Sequence, residues 1–128
     1  MVEVVLNPIP FDLNVDLLLH DLHIKPGSDD AGALADMAAT AQSVARPKAL
    51  CRVGLVDHAG EDAVVIEGVT LSSRVLRVNL DGVHRAFVFV ATCGVELEAW
   101  AAGVEGLLER FWADAIMEQA LEAAINTL

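Results

Sequence analysis

The sequence predicts an α+β fold with a twisted, mainly antiparallel sheet, packed helices and a long C-terminal helix. Helical periodicity is confined to the first third and the last third of the chain, whereas short β-rich runs separated by turn residues fill the middle. The length of 128 residues suits one domain with its own core. We therefore expect a single domain over residues 1–128.

The first third predicts a strand and two helices. Glu3–Leu6, with three consecutive apolar residues after Glu3, is predicted to be a short strand. Asn14 and Ser28, two residue types that cap helices, each precede apolar residues spaced three and four apart. The first helix is expected to close at Lys25-Pro26-Gly27 and the second to end at Ala45-Arg46-Pro47.

The middle of the chain predicts an antiparallel meander followed by a short helix and another strand. Three β-rich runs, at residues 49–56, 63–66 and 69–71, are separated by the turn segments 57–62 and Glu67-Gly68. Ser72 or Ser73 then caps a short helix, and an apolar strand follows at residues 86–91.

The last segment is predicted to be helical from about Gly94 to the end, with a joint at Gly103 and Gly106. Its second helix has two nearly opposed apolar stripes, which require two packing partners or a bend near Ile116. We expect the domain core to cover one stripe and another subunit or another protein to cover the other, which favours a homodimer. The first stripe holds Val104, Leu107, Leu108, Phe111 and Ala115, and the second holds Met117, Ala120, Leu121, Ala124 and Leu128.

A net charge of −11 argues against nucleic acid and against an anionic membrane surface as partners. Six of the eight basic residues lie between Arg46 and Arg85, together with five acidic residues, so this stretch is close to neutral. It could hold an anionic small ligand or an acidic partner, or it could simply carry surface arginines. No apolar run is long enough to span a membrane and no basic segment opens the chain, so we expect a cytoplasmic protein.

Cys51 and Cys93 are expected to be free thiols in that compartment. Four scattered histidines and the lack of a Cys-x-x-Cys pair give no metal-ligand spacing, so no bound metal is expected.

The strongest candidate for a functional site is the junction Thr92-Cys93-Gly94, where a strand turns into a helix. It places a hydroxyl, a thiol and free backbone N–H groups at a helix start, where many α/β proteins bind a ligand. Thr92 could cap the helix, and Gly94 would allow a backbone or a ligand to come close. The alternative is a purely structural junction.

Cys93 is also a candidate nucleophile, because a helix N-terminus lowers a thiol pKa. Glu96 and Glu98 in the first turn oppose this effect by favouring the neutral thiol. No catalytic residue is assigned.

A second candidate is a cationic rim formed by Arg74, Arg77, His84 and Arg85. Arg74 and Arg77 are three apart on a predicted helix and so share a face. They could bind the carboxylate of an adenosyl-type ligand. They could instead neutralise Asp114 and Glu118, two like charges four apart.

The segment Thr92-Cys93-Gly94-Val95-Glu96-Leu97-Glu98, followed by Asp114-Ala115-Ile116, resembles the reactivation (activation) domain of cobalamin-dependent methionine synthase. It is more similar still to the short stand-alone homologues of that domain, in which an apolar strand enters Thr-x-Gly-x-x-Leu-Glu and a later helix carries Asp-Ala-Ile. The resemblance covers most of the chain from Leu6 onward. The residues that match family positions are Thr92, Gly94, Leu97, Glu98 and Asp114.

The resemblance implies an α+β domain that binds S-adenosylmethionine and presents it to cobalamin on a partner, a corrinoid protein or methyltransferase. Inactive cob(II)alamin is then reductively remethylated, with the chemistry supplied by the cofactors. The late Arg-x-x-x-Gly-Tyr type segment of the family's ligand site does not occur here, and the sequence has no tyrosine. The early acidic–aromatic segment is not recognisable either. These departures imply either a truncated chain or a reduced homologue that could lack a complete S-adenosylmethionine site. Thr92, Gly94, Glu98 and Asp114 therefore transfer from the family as positions that mark the fold.

Three functional hypotheses follow from the sequence. The first is a stand-alone homologue of the reactivation domain that assists a corrinoid-dependent methyl transfer system. The second is a non-catalytic module whose exposed helical stripe builds a dimer or docks on a partner. The third is a small thiol enzyme that uses Cys93.

Overall fold

The computed structural model describes residues 3–127, so predictions that fall on Met1, Val2 and Leu128 lie outside the described residues. The described residues form an α+β fold with a long C-terminal helix, as predicted. In chain order the elements are β1 (Glu3–Leu6), α1 (Val15–Asp21), α2 (Asp29–Val44), β2 (Lys48–His58), β3 (Ala63–Ile66), β4 (Val69–Ser72), α3 (Arg74–Asn79), β5 (Arg85–Thr92), α4 (Val95–Ala102) and α5 (Leu107–Thr127).

Three helix starts are fixed by the side chains that the sequence indicated. Asn14, Ser28 and Ser73 each accept a hydrogen bond from a backbone N–H in the first turn of α1, α2 and α3 respectively. Helix α1 is shorter than predicted, because His23 adopts a left-handed conformation with φ of 56°. That residue ends the helix before the Lys25-Pro26-Gly27 segment is reached.

The sheet contains the predicted meander. Strands β2, β3 and β4 pair antiparallel in sequence order, with Val56 opposite Ile66 and Ile66 opposite Val69. The β3–β4 turn places Glu67 and Gly68 at φ of 51° and 81°, which is the conformation of a two-residue hairpin turn whose twist matches the strands. Strands β1 and β5 also pair with β2.

The described residues divide into two compact units. The sheet unit comprises residues 3–5 and 50–90, and its core holds Val56, Val64 and Ile66 with Leu76, Leu80, Val83 and Ala86 packed against them. The helical unit comprises residues 6–49 and 91–127. Its largest core cluster consists of Leu18, Leu34, Ala41, Ala45, Leu97, Trp112, Ile116 and Ala120.

Helix α5 corrects the prediction of its apolar stripes. The first predicted stripe is exposed at Leu107 and Phe111, by 78% and 61%, whereas Ala115 is half-buried against the core. The buried line instead runs through Trp112, Ala113, Ile116, Ala120 and Ala124. Residues 112, 116, 120 and 124 recur every four positions, so they stack along one face, where the large indole supplies apolar area and the alanines allow close approach.

The second predicted stripe is partly confirmed. Ala120 and Ala124 are buried, whereas Leu121 is 37% exposed. Helix α5 is continuous through Ile116, and the predicted joint at Gly103 and Gly106 separates it from α4. Within residues 3–127, no helix combines the length and the apolar content needed to cross a membrane.

Candidate functional site

The junction between β5 and α4 is held by backbone geometry and one short side-chain contact. Gly94 is the N-cap of α4, with φ of 96°, and no side-chain capping hydrogen bond is present at this helix start. The hydroxyl of Thr92 accepts a hydrogen bond of 3.1 Å from the N–H of Gly94. The prediction that Thr92 caps the helix is therefore wrong. Its hydroxyl bonds to the N–H of Gly94, which precedes the first residue of α4.

Gly94 is required by a close approach of the backbone. A Cβ atom at this position would lie 2.5 Å from the carbonyl oxygen of Arg46, a contact that no real side chain makes. The prediction that glycine admits a close neighbour is thus correct, and the neighbour is the chain itself. This favours the structural interpretation of the junction over a ligand cradle at Gly94.

Cys93 lies in an environment that opposes nucleophilic chemistry. Partial burial raises the pKa of its thiol, and the carboxylate of Glu98 raises it further. The thiol contacts the carbonyl oxygen of Gly94 at 3.8 Å. A raised thiol pKa lowers the fraction of reactive thiolate at neutral pH, so the structure gives no support to the thiol-enzyme hypothesis.

One of the two acids in the first turn of α4 is neutralised by an internal ion pair. Lys48 of β2 donates to both carboxylate oxygens of Glu96, at 2.8 and 2.9 Å. The hydrogen bond from Lys48 holds the pKa of the Glu96 carboxyl below its usual range. The Glu96 carboxylate thus links β2 to the start of α4 through Lys48.

A cleft of about 430 Å³ between α4 and α5 brings together two of the residues matched to the family. Glu98 of α4 and Asp114 of α5 both line it, together with Arg110, and its apolar wall consists of Ala101, Ala102 and Met117. The Nε of Arg110 donates to the carbonyl oxygen of Val104 at 3.1 Å, which anchors the guanidinium at the α4–α5 joint. The cleft therefore carries two negative charges and one positive charge.

Arg110 is the residue that sequence reasoning missed. It stands four positions before Asp114 on the same helix, a spacing that places both side chains on one face. That spacing was the available signal. Asp114 and Glu118, which are also four apart, line different grooves, since Glu118 lies beside residues of α1.

The predicted cationic rim is assembled only in part. Arg74 and Arg77 line a second cleft of about 380 Å³ in the sheet unit, but Glu61 and Asp81 line it as well. His84 and Arg85 are not among the described residues of its lining. The cleft is therefore mixed in charge rather than cationic.

Arg77 is engaged within the sheet unit, and its predicted pairing with Asp114 and Glu118 stays a prediction. Its guanidinium bonds to the carboxylate of Asp81 and to the carbonyl oxygen of Gly60, each at 2.9 Å. The hydrogen bond from Arg77 also holds the pKa of Asp81 below its usual range. A partner four residues away on the chain is available at little entropic cost, which explains why the local pair forms.

The structure also bears on metal ligands and on the two cysteines. Among the residues that the structure describes, no group of three or more His, Cys, Asp or Glu side chains is arranged to hold a metal ion. Cys51 and Cys93 are both free thiols.

The chain was compared with protein-family models, curated proteins and solved structures. None of the three comparisons gives a match.

Proposed function

We propose that this protein is a stand-alone homologue of the reactivation domain of cobalamin-dependent methionine synthase and assists a corrinoid-dependent methyl transfer system. The observation that carries the proposal is the α4–α5 cleft, which gathers Glu98 and Asp114, two family-matched acids, around Arg110. Glu98 and Asp114 are sixteen positions apart in the sequence, and both line this cleft.

The charges of the cleft fit the methionine portion of S-adenosylmethionine. That portion carries a sulfonium, an ammonium and a carboxylate group. Glu98 and Asp114 would face the two cationic groups, and Arg110 would pair with the carboxylate through its remaining N–H donors. Met117 and the two alanines would contact the aliphatic chain.

The size of the cleft also suits a small ligand, since binding pockets commonly span about 300–1,000 Å³. No aromatic residue is among the described residues that line it, so the fit concerns the charged amino-acid end and not the adenine ring. When bound, S-adenosylmethionine supplies a methyl group. The residues of this chain would hold and orient that ligand.

Calorimetric titration tests the proposal. S-adenosylmethionine should release heat on binding, and S-adenosylhomocysteine, which lacks the sulfonium charge, should bind more weakly. Glu98→Gln and Asp114→Asn should each weaken binding by about tenfold, the loss expected for one charge-assisted contact. Glu105→Gln, which removes the same charge outside the cleft lining, should bind like the wild type.

The absence of heat at millimolar S-adenosylmethionine would remove the ligand-binding part of the proposal. Equal affinity for S-adenosylmethionine and S-adenosylhomocysteine would contradict the assignment of Glu98 and Asp114 to the cationic groups.

A second function, docking on a partner without catalysis, is favoured by the exposed stripe at the start of α5. Leu107, Leu108 and Phe111 are 78%, 49% and 61% exposed. Three large apolar side chains within five residues form a surface of the kind that a partner protein covers. We propose that a corrinoid protein or methyltransferase contacts this stripe. Phe111→Lys should then weaken binding of the purified partner without changing S-adenosylmethionine affinity.

A further inference from the structure

Strand β5 presents an apolar surface on both of its faces. Phe87 and Phe89 point to one face and are 74% and 51% exposed, while Val88 and Val90 point to the other and are 42% and 64% exposed. Four consecutive large apolar residues in a strand normally lie in a core. Their exposure makes β5 an unusually apolar strand at the surface of the sheet.

The edge of β5 is open as well. In the described sheet β5 pairs with β2, and no second partner of β5 is found there. Its other edge therefore offers a row of backbone donors and acceptors to another strand. Natural proteins protect such edges with charges or proline, but the sequence from Ala86 to Thr92 contains neither.

The charge distribution favours a second copy of this chain as the occupant of the β5 edge. The sheet unit contains six acidic and four basic residues, whereas the helical unit contains thirteen acidic and four basic residues. Two copies that met through their helical units would bring strong like charges together. At β5 two copies can approach with little repulsion, because no charged residue occurs between Arg85 and Glu96.

We propose that β5 pairs antiparallel with β5 of a second copy, so that the sheet continues across a two-fold axis. An antiparallel pair of identical strands is self-complementary, as a two-fold interface requires. Each copy contributes its single open β5 edge, so the pairing closes at two copies and does not extend into a fibre.

The size of the surface sets the strength of this association. The four exposed side chains of β5 contribute about 400 Å² per copy, taking about 150–250 Å² for a whole aromatic side chain. Edge pairing leaves the outer parts of these side chains in solvent, so the pair would bury less than about 800 Å² of side-chain surface. That area is well below the roughly 1,200–2,000 Å² of stable complexes. We therefore expect a reversible dimer whose population depends on protein concentration.

Analytical ultracentrifugation of the full chain over a range of concentrations tests the proposal. The wild type should shift from monomer to dimer, and the double variant Phe87→Lys/Phe89→Lys should weaken the dimer by at least about tenfold, because lysines on neighbouring strands repel each other and protect the edge. Both phenylalanines are exposed in the single chain, so circular dichroism should show an unchanged fold. Leu107→Lys, an equally exposed apolar position on α5, should dimerise like the wild type.

Amide hydrogen exchange gives a second, backbone readout. Amides at the open edge of β5 should exchange more slowly at high protein concentration than at low concentration, and those of α5 should not change. A wild type that is monomeric at about 1 mM overturns the proposal. So does a dimer that survives the double β5 variant but is lost in Leu107→Lys, since the interface would then lie on α5.

Discussion

Gly94 meets two requirements that only glycine satisfies together. Its φ of 96° is in the left-handed region, and a Cβ atom would lie 2.5 Å from the carbonyl oxygen of Arg46. The sequence could predict a close neighbour from the glycine at a strand-to-helix junction. It could not predict which neighbour, because Arg46 comes forty-eight positions earlier and only the tertiary fold brings its carbonyl there.

Gly94→Ala should lower the free energy of unfolding by about 2–4 kcal/mol, since strain at positive φ and a backbone clash add together. Gly82→Ala is the matched control: Gly82 has φ of 75°, and nothing lies within 4 Å of an added Cβ. It should lose only about 1 kcal/mol. Urea denaturation of both variants measures the difference, and equal losses would contradict a role for the Arg46 contact.

The accuracy of the sequence predictions at the scale of elements depends on how local the signal is. Caps act within three residues, so Asn14, Ser28 and Ser73 could be identified from the sequence alone. The buried face of α5 depends on which neighbours reach it. Phe111 and Trp112 are adjacent and both aromatic, yet they are 61% and 3% exposed. Periodicity predicted two apolar lines, neither of which contains Trp112, and packing within the helical unit buries the line that runs through Trp112.

The candidate site follows the same rule. Glu98 and Asp114 could be singled out because short motifs around them resemble a family. Both acids line one cleft with Arg110 only because of the angle between α4 and α5. The flexible glycines of the joint do not determine that angle, so it is set by tertiary packing. The ion-pair partner of Glu96 could not be predicted from the sequence for a similar reason. Lys48 lies on β2, and the ion pair forms only when that strand reaches the start of α4.

The ion pair between Lys48 and Glu96 should make stability sensitive to acid. Because the pKa of Glu96 is lower in the folded protein, its stabilising effect is complete above the unfolded-state pKa of about 4.3 and is lost as the pH falls through the folded value. Glu96→Gln should therefore be less stable than the wild type at pH 7, and should lose less stability between pH 7 and about pH 3.5.

Urea denaturation at both pH values measures this change, with Glu105→Gln as a control for the loss of one negative charge. An identical acid-induced loss in the wild type and in Glu96→Gln would show that the ion pair contributes nothing to the pH dependence.

For the whole molecule, the sequence predicts one domain, and the structure resolves two compact units whose connection runs through continuous elements. Strand β2 passes from the helical unit into the sheet unit between Ala49 and Leu50, and β5 passes back between Val90 and Ala91. If the part of β2 or β5 in one unit unfolded, the part of the same strand in the other unit would lose its support. We therefore expect the two units to unfold together, as a single cooperative domain.

Gly54→Ala tests this expectation, because the substitution destabilises the sheet unit while the tryptophans that report unfolding lie in the helical unit. In the sheet unit, a Cβ at Gly54 would lie 2.7 Å from Ile66 Cγ2 and 2.9 Å from Glu67 Cγ, which should cost about 1–3 kcal/mol. Both tryptophans, Trp100 and Trp112, belong to the helical unit. If unfolding is cooperative, the urea midpoint seen by tryptophan fluorescence falls as far as the midpoint seen by circular dichroism. A fluorescence midpoint that stays at the wild-type value while the circular dichroism splits into two transitions would establish two independent domains.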